Sequence, residues 1–200
     1  MWPFGKKNTD YNALGLALLQ EGSKYQGPTV DGIYAFLQKS GQLQYRDEMT
    51  EKRILNAAAA VVLIETVMLQ TALRSGRASP FKHDIMEHFY GYVQKLADMS
   101  FSEHKLDIND AQSMTTRLVH TAVAHYTTHS NEPTEERLAY DLARAVMRLH
   151  VRWTGNDEYT VKAPTAAEDW RELSQAGEGL ARSQRWVETS LGKQIKVALA

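Results

Sequence analysis

The stretch ILNAAAAVVLIETVMLQTAL, residues 54–73, constrains the fold more than any other part of the chain. Turned as a helix, it points Val61, Val62, Leu63, Ile64, Val67 and Met68 in every direction, so no polar face is left for water. A helix that is apolar all round belongs inside something. A bilayer is one such place, but the uninterrupted apolar run is short for a hydrocarbon core, and Glu65 stands in its middle, where a charge is costly in lipid. The sequence therefore predicts a buried central helix over about residues 48–75. Around it the pattern predicts a single all-α domain, a bundle of about six or seven helices.

The 200 residues are enough to bury a core of this kind without staples. With 23 Lys and Arg against 24 Asp and Glu, the chain as a whole makes no strong demand for nucleic acid or an anionic membrane. The absence of cysteine excludes disulfides, thiolate catalysis and Cys-ligated metal. Lys6, Lys7 and Asp10 interrupt the start before any apolar signal-peptide core forms, and the expected location is cytoplasmic.

Residues 1–8 read as an exposed tail. Its Trp2, Phe4, Lys6 and Lys7 also fit a membrane-interface foot, although so short a segment anchors weakly at best. A first helix follows Asn8 or Thr9 and ends near the Gln26 to Pro28 loop, and Thr29 is expected to cap a second helix closed by Gly41. Ser79 and Pro80 signal the start of a fourth helix with Phe81, Ile85, Phe89, Tyr92, Val93 and Leu96 in one stripe. A fifth helix is expected over about 109–129 and a sixth from the Pro133 break to about Trp153, with Leu138, Leu142, Ala145, Val146 and Leu149 buried. A loop over 155–164, with a very short hairpin of Val151–Trp153 against Tyr159–Lys162 as one reading, precedes the last helix. That helix opens on a Thr165/Glu168 capping box. Trp170, Leu173, Gly177, Leu180, Gln184, Val187, Leu191 and Ala198 follow at near-heptad spacing, suited to the chain's own core or to a homodimer.

Three groups carry the candidate chemistry. Glu65, a carboxylate on an all-apolar helix, must be paired, protonated or strongly shifted. His125 and His129, one turn apart on an apolar stripe, could join Glu65 around a divalent metal, although Glu-x-x-His and His-Glu-x-x-His motifs are absent. Arg137, Arg144, Arg148 and Arg152 occupy a narrow arc of the sixth helix and form a candidate partner-binding stripe, the alternative being a solvated face paired with neighbouring acids. Tyr90, Tyr92, Tyr126 and Tyr140 offer a possible groove lining.

No nucleophile motif, phosphate loop or dinucleotide fingerprint is present, and no aromatic platform accompanies the arginines. The sequence thus points to a non-enzymatic interaction or regulatory protein with a protein partner and no required cofactor. A metal-dependent or carboxylate-assisted enzyme built on Glu65, His125 and His129 is the alternative, and a peripheral membrane or nucleic-acid-associated protein is a weaker one.

Overall fold

The computed structural model describes residues 9–43, 47–76, 84–100, 135–154 and 167–199. They form six helices and, among the described residues, no strand: α1 Tyr11–Ser23, α2 Gly27–Lys39, α3 Glu48–Arg74, α4 Asp84–Ser100, α5 Glu135–Trp153 and α6 Ala167–Ala198. The all-α bundle expected from the sequence is the observed architecture. The N-terminal tail, the Ser79–Pro80 start, the helix expected over 109–129, the loop over 155–164 and Thr165 lie outside the described residues.

Local chemistry sets the helix ends. Asp10, rather than Asn8 or Thr9, caps α1, its carboxylate accepting from the Ala13 N–H at 3.0 Å. α2 starts earlier than expected: Gln26 is its N-cap and Pro28 lies in its first turn, where the missing N–H costs nothing. Thr29 is therefore a first-turn residue, buried against α6. At the other end Gly41, with φ of 68°, lets the Gln42 N–H reach the Leu37 carbonyl at 2.9 Å and its own N–H reach Gln38 at 3.1 Å, a Schellman closure. The Asp47 carboxylate receives the Met49 and Thr50 N–H groups at 3.3 and 3.0 Å to open α3. Val151–Trp153 end α5 as helix, so the short hairpin loses its first strand. Their helical φ and ψ exclude the extended backbone that a ladder requires.

α3 touches each of the other five helices. Its residues 58–64 are all buried. By length and mean hydropathy this helix passes as a membrane span after all, but 78% of its most apolar window is buried inside the bundle, and that burial is what its composition is used for. α6 runs parallel to α3, with Gln184 Nε2 donating to Gln70 Oε1 at 2.7 Å and Arg74 reaching Glu188 at 3.4 Å. It runs antiparallel to α2, where Lys39 meets Asp169 and Glu172 at 3.8 and 3.0 Å.

The heptad-spaced stripe of α6 is covered by this chain's own helices: Leu173, Leu180, Gln184, Val187, Leu191 and Ala198 are all buried. Ile195, fully buried, carries the stripe across exposed Gln194. Two glycines let the backbones approach. A Cβ on Gly177 would stand 1.8 Å from the Ala139 carbonyl oxygen on α5, and one on Gly179 would stand 2.5 Å from the Tyr25 carbonyl oxygen between α1 and α2.

Candidate functional site

Among the described residues, two pairs of ionisable side chains interrupt the apolar interior, both anchored on α3. Near its middle Glu65 is fully buried, and the Tyr90 hydroxyl of α4 donates to its Oε1. α4 is positioned for this by α1: Tyr92 donates to Asn12 at 2.8 Å, and Gly15 faces the backbone between His88 and Phe89. Burial pushes the Glu65 carboxyl up to about 8, the Tyr90 hydrogen bond offsetting part of the rise. The Tyr90 phenol is itself raised well above its usual range, first by burial and then by the neighbouring carboxyl. Glu65 Oε2 has no hydrogen-bond partner among the described residues. At neutral pH the favoured form of this side chain is therefore the neutral acid, and a proton stays stored in the core.

At the start of α3 Glu51 and His150 of α5 meet with Nε2 2.5 Å from Oε2, and neither residue is exposed at all. The antiparallel course of α3 and α5 places the first turn of one beside the last turns of the other. His150 Nδ1 has no partner among the described residues, and neither has the indole N–H of Trp153 one turn further on. Fourteen residues separate Glu51 from Glu65, about 21 Å along a helix, so the two pairs are separate centres.

The structure brings Glu65 onto a tyrosine, while His125 and His129 lie outside the described residues. Among the described residues no group of three His, Asp or Glu side chains stands close enough to hold a metal ion. His88 is exposed. The tyrosines divide between different packing layers: Tyr90 serves Glu65, Tyr92 serves Asn12, and Tyr140 stacks on Trp170 with ring centroids 5.6 Å apart. Tyr126 is outside the described residues.

The arginine stripe is present on α5 and is not uniform. Arg137 pairs with Asp141 at 3.3 Å and lies 5.7 Å from the Tyr140 ring. Arg144 and Arg148 are half-buried, and neither makes an ion pair or hydrogen bond among the described residues. The side chain of Arg152 lies outside the described ones. Half-burial thins the water around a guanidinium without supplying a replacement partner, which leaves these two groups suited to an incoming carboxylate.

Sequence reasoning missed the Glu51/His150 pair. A signal was there: His150 follows Val146 by one turn on the apolar stripe of Leu142, Val146 and Leu149. Glu51, among the polar residues that start α3, carried none. Compared with known proteins, the chain matches no protein-family model, no curated protein and no solved structure.

Proposed function

We propose that this chain is an intracellular, non-enzymatic interaction protein that docks an acidic protein segment on the outer arc of α5. The observation that carries the reading is the state of Arg144 and Arg148: adjacent on one helical face, half-buried, and without a counter-charge among the described residues. A partner carboxylate can fork onto each guanidinium in a geometry that a lysine would not reproduce. Arg137, held by Asp141, borders the same arc. The buried stripe of α6 closes the chain's own core, so the protein partner is assigned to α5.

The test is affinity capture from the protein's own cells with wild-type chain and with Arg144→Ala/Arg148→Ala, each variant first checked for helical content. Loss of the captured proteins in the double variant supports the reading. An unchanged set of partners and an unchanged oligomeric state would remove the surface it rests on.

A second reading is a carboxylate-assisted or metal-dependent site, and the observation favouring it is the Glu65 carboxyl, buried with Oε2 unpartnered. It requires His125 and His129 to reach that oxygen at ligating distance, about 2 Å from a shared ion. Metal content of wild-type chain against His125→Ala and Glu65→Gln decides it: stoichiometric metal lost in both variants is the positive result, and equal content in all three is the negative one.

A further inference from the structure

We infer that the outer face of the second half of α6 is a docking surface for anionic phospholipid bilayers, independent of the arginine arc on α5. Between Arg182 and Ala198 the chain carries four cations, Arg182, Arg185, Lys193 and Lys196, against one acid, Glu188. The acid is engaged by Arg74 at 3.4 Å and by Gln184 at 3.3 Å. Arg185 pairs with Glu135, but Arg182, Lys193 and Lys196 make no ion pair among the described residues. Helix-terminus electrostatics account for Lys196, which lies in the last turn, and not for Arg182 or Lys193.

The same face exposes apolar surface. Trp186 is 38% exposed and Val197 is 62% exposed, two of the four large hydrophobic residues exposed among the described residues. Arg182, Trp186, Lys193 and Val197 fall within about 60° of one another around an ideal helix, along about 22 Å of its length. Trp186 is held in place. Tyr25 meets its ring edge-on at 6.2 Å, Lys24 lies 4.8 Å above it, and its indole N–H donates to Glu21. Arg182 in turn stands 5.8 Å from the Tyr25 ring.

Arg182 and Lys193 in line with an indole and an aliphatic side chain, and Lys196 flanking them, match the headgroup region of an anionic bilayer. Phosphates and carboxylates meet the cations there, and Trp and Val enter the boundary below. A nucleic-acid backbone would satisfy the cations and leave Val197 in water. The bilayer is therefore the occupant that uses both the cations and the exposed surface of Trp186 and Val197.

The experiment is flotation of the full chain with phosphatidylcholine vesicles containing about one third phosphatidylserine, against pure phosphatidylcholine vesicles. Four chains are compared: wild type, Arg182→Gln/Lys193→Gln/Lys196→Gln, Val197→Ser, and a chain lacking residues 1–7. Wild type is expected to float with the anionic vesicles only and to be released at about 0.5 M salt. The triple variant is expected to lose about a hundredfold in partitioning, about fivefold per cation. Val197→Ser, at an exposed position where folding is not at stake, is expected to lose several-fold, and the shortened chain to keep its binding. No flotation of wild type overturns the inference. So does binding that survives in the triple variant but disappears with residues 1–7. Binding that duplex RNA abolishes and Val197→Ser leaves intact assigns the face to a polyanion and overturns it equally.

Discussion

His150 Nε2 lies 2.5 Å from Oε2 of Glu51, and neither side chain reaches solvent. Removing one partner strands the other in a low-dielectric interior, which is far costlier than removing both. Glu51→Met and His150→Phe are each expected to lose about 3 kcal/mol or more of unfolding free energy, and the double variant less than the sum. Urea unfolding of the four chains closes the cycle. Strict additivity would show that the two side chains do not act as a pair.

Glu65 gives the protein an unusual pH dependence. Its carboxyl titrates at about 8 when folded against 4.5 as the reference value, so the folded chain binds this proton more tightly than the unfolded chain. The stability that Glu65 contributes is complete below about pH 4.5, shrinks as pH rises, and is lost above about pH 8. The loss is on the order of a few kcal/mol. Glu65→Gln is expected to abolish this decline and to unfold at higher temperature than wild type at about pH 9. Tyr90→Phe removes the bond that favours the charged form, and so carries the decline to higher pH. A Glu65→Gln chain that tracks wild type across the range would place the titration elsewhere.

Glycine substitutions separate close backbone approach from simple helix propensity. A Cβ at Gly177 meets the Ala139 carbonyl oxygen at 1.8 Å, a contact that only movement of α5 against α6 relieves, whereas one at Gly192 meets nothing within 4 Å. Gly177→Ala is expected to destabilise by about 3 kcal/mol or more. Gly192→Ala, in the same helix, is expected to stabilise by about 0.5 to 1 kcal/mol. Thermal unfolding of both variants checks the pair, and equal shifts would contradict the packing of α5 on α6.

Periodicity made the bundle legible. The all-round apolar stretch gave α3 its central place, and the stripes of Leu142, Val146 and Leu149 on α5 and of Leu173, Leu180, Val187 and Leu191 on α6 predicted the buried faces. Gly41 marked the end of α2 correctly because it adopts φ of 68°, and Gly76, at 69°, stands just past the expected end of α3 in the same way. Boundaries set by competing caps were less legible: Asp10 displaced Thr9, and Pro28 pulled the start of α2 ahead of Thr29. Glu65 drew notice because it breaks an apolar run. Its partner Tyr90 was read only as groove lining, since no local pattern says which of nine tyrosines crosses the bundle to Glu65. Glu51 stayed hidden for the opposite reason, because an acid in the first turn of a helix is ordinary and only the fold shows this one to be buried.

Docking of an acidic partner by Arg144 and Arg148 can be read from native mass spectrometry of the untagged protein captured from its own cells without added metal. The spectra to compare are those of wild type, Arg144→Lys/Arg148→Lys and Arg144→Glu/Arg148→Glu. Wild type is expected to give a metal-free complex with a second, acidic protein, the lysine variant a weakened complex, and the glutamate variant free chain. A chain that carries a metal ion and no partner, or a complex indifferent to both double substitutions, would contradict that docking.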